Sequence, residues 1–212
     1  MIIALDGASA DLSLALADAD GSPLDELRWT SAQRQSAELL PRLLEMLARN
    51  GRALSETTGL GVGSGPGSFT GLRVAMALAK GLSFALGRPL VAVPSLEAWL
   101  ESAPEAVAAV ARAGAHEAYV LGRGDATPII AERETLAVRL GSRPVVASRE
   151  LADAFGLERA LAPRGAATIA RRAAERLAAD PGGDDLARLE PLYLRPPRGV
   201  ATDGEPATVR WL

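Results

Sequence analysis

Apolar positions in the first third of the chain pass from strand-like runs and alternations to helical stripes. Ile2 to Leu5 is a continuous apolar run and Leu12-Ser13-Leu14-Ala15-Leu16 alternates, so both read as strands, with Asp6-Gly7-Ala8-Ser9 turning between them. Leu24 to Trp29, after an Asp20-Gly21 turn, gives a third strand. From Ser36 to Asn50 the period becomes helical. Leu39, Leu40, Leu43, Leu44, Met46 and Leu47 form the stripe, Ser36 is placed to cap, Glu38 sits in the first turn and Gly51 ends the run. Six large apolar residues in nine positions are more than one helix face holds.

The next stretch, Gly59 to Gly87, organises the chain. Leu60 and Val62 alternate with glycines as a short strand, Gly63-Ser64-Gly65-Pro66-Gly67 is a turn, and a helix follows from Ser68 or Thr70, either of which can cap it, to Gly87. Strand, glycine turn and helix invite a phosphate-site reading, since a helix N-terminus attracts anions. No window fits G-x-x-x-x-G-K-[ST] or G-x-G-x-x-G, and the first lysine, Lys80, lies well inside the helix. Within Thr70–Leu86 the charged residues are Arg73 and Lys80, on one face. Gly71, Ala75, Ala79, Ser83 and Gly87 make a row of small residues beside the larger Val74, Leu78, Leu82 and Leu86. A helix apolar most of the way round needs cover on two sides. With the equally apolar Ser36–Asn50 helix it suggests a shared partner surface.

Leu90 to Val93 is a further strand and Leu96 to Leu100 a helix. Ala103-Pro104 marks the expected division between a lobe of residues 1–103 and a smaller lobe of 104–195, with a tail from 196 to 212. In the second lobe, Ala106–Ala111 and Ala118–Leu121 pair as a hairpin turning near Gly114, and Ile129-Ile130 is a weak strand followed by an unassigned stretch to Leu140. Val145–Ala147 is a strand, and Arg149–Phe155 and Ala166–Ala179 are helices. Pro181–Asp185 is a flexible acidic loop. A strand-rich opening in each half hints at duplication.

Composition narrows the chemistry. Hydrophobic residues are 48% and charged residues 23%, as in a soluble globular protein; aromatics are 4%, so Ala, Leu and Val must build the core. Without cysteine there is no thiol nucleophile, disulfide or thiolate site, and the single histidine, His116, sits in a polar turn beside Glu117. Neither a zinc set nor a Ser-His-Asp triad with a G-x-S-x-G elbow can be assembled, and no tightly bound metal or other cofactor is expected. A net charge of −3 does not suit a module that holds RNA by itself. The start shows no basic n-region before Asp6 and no apolar run looks long enough to span a bilayer, so a cytoplasmic protein is expected.

The segment GSGPGSFTGLRVAMALAKGLSFALGRPLVAVPSLEAW resembles the signature of the TsaB (YeaZ-type) family, and Pro191-Leu192-Tyr193-Leu194-Arg195 resembles it again. The likeness is good up to about Trp99. In the second half it departs from the family: Arg112 and Gly114 stand where Asp and Arg are expected before Glu117 and Tyr119. The resemblance implies an α/β fold of the actin-like (ASKHA, RNase H-like) kind, with two lobes of mixed sheet and helices. It also implies a non-catalytic subunit for making threonylcarbamoyladenosine at tRNA position 37, partner of the catalytic paralogue TsaD and of a TsaE-type ATPase. Such a subunit meets tRNA only through the complex and self-associates when isolated. The His-x-x-x-His metal pair of TsaD is absent here.

On that reading the partner face comprises Leu39, Leu43, Leu47, Arg73, Met76, Ala79 and Lys80, and no residue is catalytic. Asp6, Gly7, Gly65, Gly67 and Ser68 are either a nucleotide site or a structural turn. Asp6 keeps the place of the Mg²⁺-positioning aspartate of active ASKHA enzymes, but Asp-Gly after a strand is also simply a good turn. The alternative function is an ASKHA-fold ATPase or small-molecule kinase.

Overall fold

A computed structural model describes residues 1–31 and 33–194. The opening strands β1 (Ile2–Asp6), β2 (Asp11–Ala17) and β3 (Pro23–Thr30) form an antiparallel meander. Two parallel strands, β4 (Gly59–Gly63) and β5 (Leu90–Val93), extend it beyond β1, giving the order β3-β2-β1-β4-β5. Parallel neighbours require crossovers, which are the helices α1 (Gln35–Arg49) and α2 (Phe69–Leu86). Both lie on one face of the sheet. Ile3, Leu5, Leu14, Leu16, Leu60 and Val62 point there and pack with Leu39, Leu43, Met46, Ala75 and Ala79.

The second half repeats this wiring. After α3 (Ser95–Ser102), the chain forms β6 (Ala108–Arg112), β7 (Glu117–Gly122), β8 (Ile129–Glu132), α4 (Arg133–Leu140), β9 (Val145–Val146), α5 (Arg149–Phe155) and β10 (Ala160–Leu161). The strand order is β10-β9-β6-β7-β8, with β7 and β8 antiparallel to their neighbours and β9 and β10 parallel. The two sheets are topologically the same object, an internal repeat that sequence identity does not display.

The last helix of each half is exchanged. α3 follows the first sheet in sequence but packs its Leu96, Trp99 and Leu100 on Ala109, Ala111, Tyr119 and Leu121 of the second. α6 (Gly165–Ala179) follows the second sheet and covers the inner face of the first, where Ile169, Ala170, Ala173 and Ala174 meet Ile2, Ala4, Ala15, Ala17 and Val91. Small residues on both sides let this Ala-rich helix lie close to the strands. The division into 1–103 and 104–195 read from the sequence therefore does not follow the packing: residues 165–194 return to the first sheet. The Pro181–Asp185 loop belongs to that return. The Asp184 amide donates to the Leu90 carbonyl (2.8 Å) and its carboxylate accepts from the Ala92 amide (2.7 Å), covering the otherwise open edge of β5.

Local expectations needed correction at three points. α1 begins at Gln35 with Arg34 in the capping position, so Ser36 is inside the first turn and does not cap. α4 occupies most of the stretch left unassigned before Leu140; Leu136 and Leu140 alone of its apolar residues are buried, too sparse a stripe to read in advance. And α2, at 18 residues, is apolar enough by length and composition to cross a bilayer. Its packing accounts for that character, since Gly71, Leu72, Ala75, Met76, Ala79, Leu82 and Ser83 are all buried. The expectations for Arg195 and the 196–212 tail lie outside the described residues.

Candidate functional site

α2 is held at both ends by its own sequence. Ser68 Oγ accepts from the Gly71 amide (3.3 Å), and Gly87 closes the helix in the left-handed conformation. The row of small residues chosen from the sequence faces inward: Gly71, Ala75, Ala79 and Ser83 are buried. Of the residues expected on the partner face, Leu39, Leu43, Leu47, Met76 and Ala79 are buried in the chain's own core. A stripe of apolar residues cannot announce which of its members the sheet will take. Arg73 is exposed and Lys80 half-buried.

What the helices do present is a different set. On α1, Ala37, Leu40, Pro41, Leu44 and Ala48 are exposed; on α2, Ala77, Gly81, Phe84 and Ala85 are. Leu40, Leu44 and Phe84 are 38%, 45% and 85% exposed. These positions recur at three- and four-residue steps, so each helix carries an apolar stripe toward solvent in addition to its buried one. The signal was visible in the excess of apolar residues on both helices, but assigning faces needed the sheet.

The second candidate group, Asp6 with the glycine turn, is closed on itself. Asp6 is 3% exposed at the end of β1. Its carboxylate accepts from Trp99 Nε1 (2.6 Å), Ser95 Oγ (2.9 Å) and the Ala8 amide (3.2 Å). Burial pushes its pKa above the ordinary carboxylate value, and the hydrogen bonds from Trp99, Ser95 and Ala8 oppose that rise without cancelling it. The turn itself spends its amides internally: Ser64 donates to the Val93 carbonyl (2.8 Å), Gly65 to Ser95 Oγ (3.1 Å) and Ser68 to the Ala8 carbonyl (2.7 Å). A Cβ on Gly7 would strike the Gly71 carbonyl oxygen, one on Gly71 the Gly7 oxygen, and one on Gly67 the Ala8 oxygen. These glycines exist so that the β1–β2 turn can press against the start of α2. Among the described residues no cluster of three or more His, Asp or Glu is placed to hold a metal ion.

Beside this turn the two stretches that carry the family resemblance meet. Arg73 Nε donates to Tyr193 Oη at 2.9 Å, and its guanidinium lies 4.0 Å from the Phe69 ring centroid. The Phe69 and Tyr193 rings are 5.4 Å apart, and the Leu192 amide donates to the Ser64 carbonyl (2.7 Å). Phe69 and Tyr193 stand on the rim of a cleft of about 1260 Å³ between the lobes. His116, exposed, also lines the cleft, its carbonyl accepting from the Arg133 amide (2.9 Å).

Two lobes of identical five-stranded wiring, with the final helices exchanged and a cleft between them, define an actin-like, RNase H-like α/β protein. The family model described as TsaD, tRNA N6-adenosine threonylcarbamoyltransferase, matches residues 30–139. The chain belongs to that family and within it is of the TsaB/YeaZ type. Two solved Pseudomonas aeruginosa structures superpose on nearly all of it. YeaZ has a TM-score of 0.67 at 25% identity, covering 91% of this chain and 99% of that one. A protein described as uncharacterized with similarity to peptidase YeaZ has a TM-score of 0.69 at 27% identity, covering 92% and 99%. Among curated relatives, the tRNA threonylcarbamoyladenosine biosynthesis protein TsaB of Haemophilus influenzae is 36% identical over 106 residues, 49% of this chain and 43% of that protein. That of Escherichia coli is 30% identical over 123 residues, 56% and 52%. The match thus spans about half the length of these relatives.

Proposed function

We propose that the chain is a non-catalytic subunit of the machinery that makes threonylcarbamoyladenosine in tRNA, and that it binds and activates a TsaD-type transferase. The observation that carries this is the pair of solvent-facing apolar stripes on α1 and α2. Burying Phe84 or Leu44 against a partner is worth about 1.5–3 kcal/mol each. Ala77, Gly81 and Ala85 leave a shallow groove into which another helix can settle. The family membership and the names of the TsaB relatives supply the pathway.

Activation needs no chemistry from this chain. A subunit that binds the assembled form of its partner more tightly than the disassembled one shifts the population toward it, and about 5.5 kcal/mol of preference moves the ratio from 1:99 to 99:1. In isolation the same stripes favour self-association. A kinase or ATPase reading would need Asp6 free to position a metal and phosphates, whereas its oxygens are taken up by Trp99, Ser95 and Ala8. Titration calorimetry of the chain against a purified TsaD-type protein tests the proposal. Gly81→Arg, at an open position on α2, is expected to abolish binding while the melting temperature holds. Unchanged affinity in that variant would place the interface elsewhere.

A further inference from the structure

The first sheet is open along β3. This strand is eight residues long and pairs with β2 on one side, and no strand or loop among the described residues bonds to its other side. The far edge of the same sheet, at β5, is covered by Asp184, so β3 is where the sheet can still grow.

Most polar side chains of β3 are already committed. Asp25 accepts from Arg49 and Asn50, Trp29 Nε1 donates to Glu38, and Thr30 Oγ1 donates to Asp11. Glu26 and Arg28 are left over. Arg28 is exposed, with no hydrogen bond or ion pair among the described residues. Glu26 is half-buried, and its Oε1 is enclosed without a hydrogen-bond partner. An enclosed carboxylate oxygen without a donor is unfavourable, and a guanidinium is the donor that suits it best. An acid without a donor and a base without an acceptor thus stand two residues apart, on one face of an open strand.

Those two positions define a register. A second copy, related by a two-fold axis normal to the sheet, would lay its β3 antiparallel to this one, each side chain opposite one from the same face. Centred on Leu27, that pairing sets Glu26 against Arg28 of the second copy and Arg28 against its Glu26. Shifting the centre by one residue either way brings two glutamates or two arginines together. Charges on an edge strand commonly keep copies apart. Here their order makes the Leu27-centred register attractive and its neighbours repulsive.

We propose that β3 is a self-association edge, to which a second copy of this chain adds antiparallel through reciprocal Glu26–Arg28 pairs, so that the two sheets run on as one. β3 carries none of the residues of the outward stripes on α1 and α2, and the inference does not depend on the subunit role.

Sedimentation equilibrium at low ionic strength tests it, with every chain carrying Phe84→Glu to blunt self-association through α2. A dimer that weakens as salt is added is expected. Arg28→Glu, at an exposed position, sets like charges across the junction twice and should weaken the dimer by about tenfold or more, and Glu26→Arg should do the same. An equimolar mixture of these two variants should regain the parental affinity, because each copy then faces the opposite sign, and so should the double reversal in one chain. Amides of β3 should also gain protection from hydrogen exchange as the concentration rises. If Glu26→Arg does not fold, Arg28→Glu and the exchange measurement carry the test. No dimer at the highest soluble concentration, a dimer indifferent to Arg28→Glu, or a mixture of folded variants as weak as its components would each overturn the proposal.

Discussion

Arg73 and Tyr193, 120 residues apart, are joined by a 2.9 Å hydrogen bond from the guanidinium Nε to the phenol oxygen. That bond ties the returning C-terminal segment to the first turn of α2, beside the glycine turn that positions the helix. Both partners reach solvent, so the bond contributes on the modest scale of an ordinary hydrogen bond, about 0.5–1.5 kcal/mol. Tyr193→Phe should lower the stability by that amount in urea denaturation, and Tyr193→Ala by more, through loss of the Phe69 and Arg73 contacts. Hydrogen exchange at the Leu192 amide should accelerate in the alanine variant. No change in either measurement would show that the segment is held by other contacts.

Asp6 gives a pH dependence of definite sign. Its folded-state pKa is raised above the ordinary value of 3.8 because burial outweighs its hydrogen bonds. The native chain therefore keeps a proton that the unfolded chain releases, so the stabilisation is complete below about 3.8 and is lost as pH rises through the raised pKa. Asn cannot titrate. The stability advantage of the parent over Asp6→Asn should shrink as pH climbs from about 4 and then level off. An advantage that grows with pH would mean that the ionised form is the better bound. Asp6→Ala is a harsher change, leaving Trp99 Nε1 and Ser95 Oγ without their acceptor at about 1–3 kcal/mol each.

The glycines of the central stretch should separate cleanly by role. Gly7→Ala and Gly67→Ala place a methyl against a backbone carbonyl and should cost several kcal/mol or prevent folding. Gly81→Ala meets open space in the middle of a helix and should stabilise the isolated chain by about 1 kcal/mol. Thermal denaturation of the three variants reads this directly, and equal effects would contradict the packing described for the β1–β2 turn.

Much of the local structure was legible in the sequence. The C-terminal end of α2 followed from Gly87 and its start was narrowed to Ser68 or Thr70, of which Ser68 is the cap, and the first three strands followed from runs and alternation, because these signals are local. Faces and crossings were not legible. α2 is apolar nearly all round, so periodicity alone could not say that Ala75 and Ala79 turn inward while Ala77, Gly81 and Phe84 turn out. The partners of Asp6 lie 89 and 93 residues away, on α3, a helix that packs between the lobes. The return of α6 to the first sheet also left no local trace, since its Ala-rich stripe would suit either sheet.

The central claim, that the outward stripes of α1 and α2 engage and activate a TsaD-type transferase, is tested most directly by reconstituted transfer. Threonylcarbamoyl transfer to tRNA would be measured with the transferase alone, with the parent chain added, and with Phe84→Glu or Leu44→Glu in its place. Both substitutions fall at exposed positions, so folding should survive them. Little transfer is expected without the chain and full transfer with the parent. The glutamate variants should require a roughly ten- to hundredfold higher concentration, from the loss of about 1.5–3 kcal/mol of buried apolar contact. Transfer that is equally fast without the chain, or equally well supported by folded glutamate variants, would contradict it.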